Sequence, residues 1–150
     1  GGYYVQTYRS KESIAKSALP QRYDSERVFG TAIYYLLTPD TFSALHRLPT
    51  DEIFHFYLGD PVRMLHLLPD GQSKTFTLGQ DIVQGQELQL VVPRGVWQGT
   101  YLNSGGRFAL LGTTMAPGFE FVDLELGDRE VLISKYPDRK DMTQRLTFSS

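Results

Sequence analysis

The sequence predicts an all-β fold, and three observations carry that expectation. From Thr31 onward, short runs rich in β-branched and aromatic residues recur about every ten positions. Each run stops at Gly, Pro, Asp or Asn, the residues that make tight turns. Within the runs, apolar and polar residues alternate with the two-residue period of a strand.

Taken in order, Gly1-Gly2 opens onto Tyr3 to Arg9, which alternates large aromatic and polar residues as a strand does. Ser10 to Gly30 is polar and mixed, and fits a surface excursion with short helical turns. Thr31 to Leu37 is a strand, closed by Thr38-Pro39-Asp40, and Phe42 to Leu48 follows, closed by Pro49-Thr50-Asp51. Glu52 to Leu58 stops at Gly59-Asp60-Pro61, and Val62 to Leu68 stops at Pro69-Asp70-Gly71. Lys74 to Leu78, Leu88 to Val92, Val96 to Leu102, Arg107 to Met115 and Phe119 to Leu126 complete the series. Asn103 to Gly106 is a hairpin turn and not a phosphate cradle, because no helix pattern follows it. Only the tail, Asp128 to Tyr136 and Asp141 to Leu146, has apolar spacing suited to brief helices. Many short punctuated strands point to a sandwich or barrel.

A chain of 150 residues is one ordinary domain, expected to span 1–150. It contains no cysteine, so neither disulfides nor a thiolate site enter. The net charge of −2, without a Lys/Arg cluster, argues against nucleic acid as a partner. No apolar run approaches the roughly 18 residues of a membrane span. No secretory leader pattern opens the chain, which begins at Gly1, and a cytoplasmic protein is the expectation.

Strand alternation assigns faces. Glu52, Phe54, Phe56 and Leu58 share one side, and Ile53, His55 and Tyr57 the other. A carboxylate on a face otherwise made of Phe, Phe and Leu is costly without a partner, so Glu52 is expected to open on a cavity. Phe42, Ala44, His46 and Leu48 share a face in the preceding strand, and Gln98 lies with Val96, Thr100 and Leu102. His46, Glu52 and Gln98 are thus the polar exceptions on three apolar faces.

The stretch from His46 through Glu52 to Gly59 resembles the first signature of the cupin superfamily, H-x-H-x3-4-E-x6-G, with Leu48 in place of the second histidine. Pro93-Arg94-Gly95-Val96-Trp97-Gln98 resembles the second, P-x-G-x2-H, with Gln98 in place of its histidine. Together with Gly1 to Tyr4, Asp51 to Tyr57, Gly59-Asp60-Pro61, Ala116 to Phe121 and Tyr136-Pro137, these motifs are similar to the Cupin-5 branch. That branch is a domain of unknown function sometimes glossed as predicted sugar epimerase. The resemblance implies a double-stranded β-helix (a jelly-roll barrel) with short C-terminal helical segments, assembled as a homodimer.

Three function classes follow. The first is a metal-independent epimerase or isomerase acting on a sugar, including a nucleotide-sugar, with His46 as base oriented by Glu52. The second is a non-catalytic cupin that holds a small ligand in the same barrel. A metal-dependent oxygenase or hydrolase ranks below both, since zinc and iron sites commonly want three protein side chains. Leu48 cannot ligate, and His46, Glu52 and Gln98 would be the whole set. No cofactor is expected beyond weak or adventitious divalent metal. Phe54, Phe56, Gln98 and Thr100 are expected to touch the ligand. Structural roles stay open for each polar residue: His46 as a hydrogen-bonded residue of the barrel mouth, and Glu52 as a partner of backbone groups across the turn. His55 is read as packing or a subunit contact, His66 as a satisfied core or interface histidine, and Trp97 as core. The homodimer is expected to bury either the Tyr3 to Tyr8 strand or the Ile53/His55/Tyr57 face.

Overall fold

A computed structural model describes residues 1–149. In chain order its strands are β1 (Tyr3–Arg9), β2 (Ser13–Ile14), β3 (Arg27–Val28), β4 (Thr31–Leu37), β5 (Phe42–Arg47) and β6 (Glu52–Gly59). They continue with β7 (Val62–Leu67), β8 (Ser73–Leu78), β9 (Gln89–Val92), β10 (Trp97–Leu102), β11 (Ala109–Met115) and β12 (Glu125–Leu126). Two helices, α1 (Arg129–Lys135) and α2 (Lys140–Arg145), close the chain. One antiparallel sheet runs β1-β4-β11-β6-β9 and the other β12-β5-β10-β7-β8, while β2 and β3 pair separately. Strands distant in sequence become neighbours, with β11 between β4 and β6 and β10 between β5 and β7. This interleaving is the jelly-roll barrel, or double-stranded β-helix.

The inner faces supply the core, including Leu37, Phe54, Phe56, Val62, Met64, Leu78 and Leu111. A second cluster lies outside the β5-β10-β7 sheet, where Leu45, Leu65 and Leu67 meet Leu132, Tyr136 and Leu146 of the C-terminal segment. Asp128 caps α1 by accepting from the Val131 amide at 3.0 Å. The signature glycine Gly59 sits at φ 97°, and a Cβ there would stand 2.3 Å from the Phe108 carbonyl oxygen, so only glycine fits this turn.

Two bulges change the predicted facing. Leu110 pairs with Leu58 and Leu111 with Phe56, which leaves Tyr57 as an extra residue. Leu58 therefore turns out to solvent and does not continue the buried row of Glu52, Phe54 and Phe56. Between Gln98 and Thr100, β5 carries one residue more than β10, because Gln98 pairs with His46 and Thr100 with Ser43. Ser43 takes the inward place expected for Phe42, and Phe42 packs on the outer cluster. Trp97 is half-buried on that same outer cluster, under the Arg47 guanidinium at 4.5 Å.

Phe119 to Leu126 departs further from expectation. It is not one strand but a strap, with a 3₁₀ turn at Phe121–Asp123 followed by the two residues of β12. Its carboxylates are pinned to three separate strands: Glu120 to Arg9 at 2.5 Å, Asp123 to Arg27 at 2.5 Å, and Glu125 to Arg47 at 2.9 Å. These are the only ion pairs among the described residues. The Arg27–Asp123 pair is buried, and Arg27 also donates to the Ser25 and Glu26 carbonyls. The polar Ser10 to Gly30 excursion thus contributes a buried anchor, although most of it lies on the surface.

Candidate functional site

A cavity of about 460 Å³ opens between the sheets at the end where the strap crosses. His46 and Ser43 reach it from β5, Glu52 and Phe54 from β6, and Tyr35 from β4. The strap closes one side with Phe119, Phe121, Leu124 and Leu126.

His46 is half-buried, and its Nδ1 lies 2.7 Å from the Ala44 carbonyl oxygen. A carbonyl only accepts, so the proton sits on Nδ1, and Nε2 of the neutral ring keeps its lone pair. The ring is therefore oriented by its own strand, where Glu52 was expected to do it. Glu52 is held differently: its Oε1 accepts from Gln98 Nε2 at 2.8 Å, and its residue is 7% exposed. Gln98 pairs across the sheet with His46 on one side and His66 on the other. The inner row of this sheet thus reads His46, Gln98, His66. Gln98 Oε1 and Thr100 Oγ1 are buried without a protein partner.

His66 is buried, tilted on Phe76 at 4.6 Å, with Nε2 3.1 Å from Met64 Sδ. Burial, helped by the Lys74 charge, pushes its imidazole down to about 4, so it is neutral at neutral pH. His55 lies on the outer face of β6, with Nε2 3.0 Å from Thr114 Oγ1.

Tyr35 was not among the residues singled out from the sequence. Its phenol is pushed up by burial, an effect partly offset by hydrogen bonding to Ser43 and Gly2 and reinforced by the Glu52 charge. It therefore stays protonated beside the carboxylate and accepts from the Gly2 amide at 3.0 Å. The available signal was the one used for Glu52: Tyr35 is the polar exception on the inward row Ile33, Tyr35, Leu37. The strap's lining residues gave no comparable signal.

Of the predicted residues, His46, Glu52 and Phe54 line the cavity. Gln98 supports Glu52 from behind, and Phe56 and Thr100 sit deeper in the packed interior. A metal fits this set poorly. Leu48 occupies the wall, one oxygen of the Glu52 carboxylate is taken by the Gln98 amide, and no group of three or more His, Asp or Glu among the described residues is placed to hold an ion.

The match to known proteins extends well beyond the signatures. The family model described as Cupin superfamily (DUF985) matches residues 1–127. The chain belongs to this cupin family. It is 33% identical over 131 residues to the uncharacterized protein YML079W of Saccharomyces cerevisiae, covering 82% of this cupin. It spans 65% of the yeast protein's length. The crystal structure of protein SO0799 from Shewanella oneidensis superposes with a TM-score of 0.87 at 34% identity, covering 100% of this cupin and 89% of that chain. A dTDP sugar isomerase from Desulfovibrio desulfuricans G20 shares the fold at a TM-score of 0.58 and 15% identity, covering 85% and 84% of the two chains. No helix among the described residues of this cupin is long and apolar enough to cross a membrane.

Proposed function

We propose that this cupin binds a small carbonyl compound in its barrel and moves a proton on it without a metal, an isomerase or epimerase reaction with His46 as the base. The observation that carries the proposal is the Nδ1 contact of His46 with Ala44, which leaves Nε2 as a free lone pair on the wall of a largely apolar cavity. Nε2 takes a proton from the carbon beside the carbonyl. In this reading the Tyr35 hydroxyl, kept protonated by burial and lining the same cavity, donates to the enolate oxygen. Gln98 holds Glu52 in place on the same cavity wall. The same chemistry on a sugar is consistent with the distant isomerase neighbour, which shares the fold alone.

The test is solvent deuterium exchange into candidate ketones and a nucleotide-linked keto-sugar. His46→Gln keeps a hydrogen-bonding side chain but cannot take a proton at neutral pH, and should lower exchange by about 10²–10⁴-fold while binding changes little. Exchange that survives the substitution removes His46 from the mechanism. A second reading, a binder without turnover, is favoured by the apolar walls. It predicts no exchange in the wild type and a loss of roughly 1 kcal/mol in affinity for His46→Gln.

A further inference from the structure

The cavity also constrains the charge of its ligand. Glu52 is the one acidic side chain on its wall, and no lysine or arginine side chain lines it, which leaves His46 as the one basic side chain there. Its Oε1 is satisfied by a neutral amide, while Oε2 has no protein partner among the described residues. A carboxylate this deeply buried normally has a cation beside it, because a single neutral hydrogen bond offsets only part of the lost hydration. The three arginines that meet carboxylates among the described residues are all spent on the strap.

The rest of the wall has a matching sign. Tyr4, Phe119 and Phe121 form a continuous aromatic surface, with Tyr4 and Phe121 centroids 6.3 Å apart and Phe119 and Phe121 edge-on at 5.1 Å and 79°. Phe54 and Phe148 add two further rings. Aromatic faces carry partial negative charge and attract cations, and they repel anions as Glu52 does. A phosphate would find His46 as its one basic side chain, against Glu52 and the aromatic faces.

We propose that the cavity selects a ligand bearing a positive charge, an alkyl- or arylammonium group, held between Glu52 and the aromatic wall. This rests on the cavity being the ligand site but not on His46 acting as a base. A nucleotide-linked substrate would have to keep its phosphates outside the cavity.

Isothermal titration of the full chain with three probes of similar shape tests it: phenyltrimethylammonium, its uncharged isostere tert-butylbenzene, and benzenesulfonate. The cation is expected to bind at least about ten-fold more tightly than the isostere, and the sulfonate weakest. Glu52→Gln should collapse the cation's advantage and leave the isostere unchanged. Should that variant fold poorly, Phe121→Leu, at a largely exposed position, should weaken the cation by a larger factor than the isostere. Equal or tighter binding of the isostere or the sulfonate by the wild type would overturn the proposal, as would no binding of any probe at millimolar concentration. Failure of the deuterium exchange alone would remove the His46 base and leave the cation preference standing.

Discussion

The outer faces of the two sheets are built from similar residues and meet opposite fates. Outside the β5-β10-β7 sheet, Leu45, Leu65 and Leu67 are sealed under Leu132, Tyr136 and Leu146. Gly99 allows that closeness, since a Cβ there would stand 3.0 Å from Leu146 and 3.1 Å from Leu45. Outside the β1-β4-β11-β6-β9 sheet nothing in the described chain lies on top. Tyr3, Val5, Tyr34, Ile53, Tyr57 and Val91 remain 36 to 61% exposed, and no outward position on those strands carries a charge. Alternation alone makes both faces apolar, and what differs is whether the same chain supplies the cover. We propose that a second copy of the chain covers this uncharged face in a two-fold dimer.

The covered face should be the costly one to damage. Leu146→Ala removes a fully buried side chain from it, and a loss of about 2–5 kcal/mol in urea unfolding is expected. A loss within about 0.5 kcal/mol would mean that the C-terminal segment merely rests on the sheet.

Histidines extend the contrast to pH. His66 is buried neutral between the sheets, while His55 sits on the bare face. The unfolded chain protonates His66 near its ordinary value, and the native chain resists until about 4. Stability is therefore complete above pH 6.5 and falls between 6.5 and 4, by about 3 kcal/mol from this residue. His66→Gln should flatten that part of the pH–stability curve, and an unchanged curve would show that another group governs it.

The bare face should be the cheapest to alter. Ile53→Lys with Val91→Lys should change the stability of the single chain by roughly 0.5 kcal/mol or less per site. The same pair should convert dimer to monomer in sedimentation equilibrium. A wild-type monomer would leave this face without the second copy expected to cover it.

Much of the barrel was legible because strand ends are local chemistry. Gly59-Asp60-Pro61 and Pro69-Asp70-Gly71 stop strands wherever they occur. Facing was legible only while the two-residue period ran unbroken. The extra residue at Tyr57 and the one on β5 exposed Leu58 and exchanged Ser43 for Phe42, and a bulge is fixed by the partner strand, which one segment cannot reveal. In the site, His46 and Glu52 could be found because a polar residue on an apolar row announces itself. The orientation of His46 by Ala44 depends on a contact within the bulged strand. The strap was illegible because its carboxylates find their arginines 78 to 111 residues away.

That strap divides the labour between folding and recognition. Apart from the two residues of β12, it takes no place in the sheets, yet it brings Phe119, Phe121, Leu124 and Leu126 to the cavity wall. Its acidic residues hold it in position while its apolar residues line the cavity. Substitutions at those four apolar positions can retune which molecule is accepted without disturbing strand pairing. Lining and barrel are thus separable in this chain, with the lining's variable part held in a single eight-residue segment tied down by its three carboxylates.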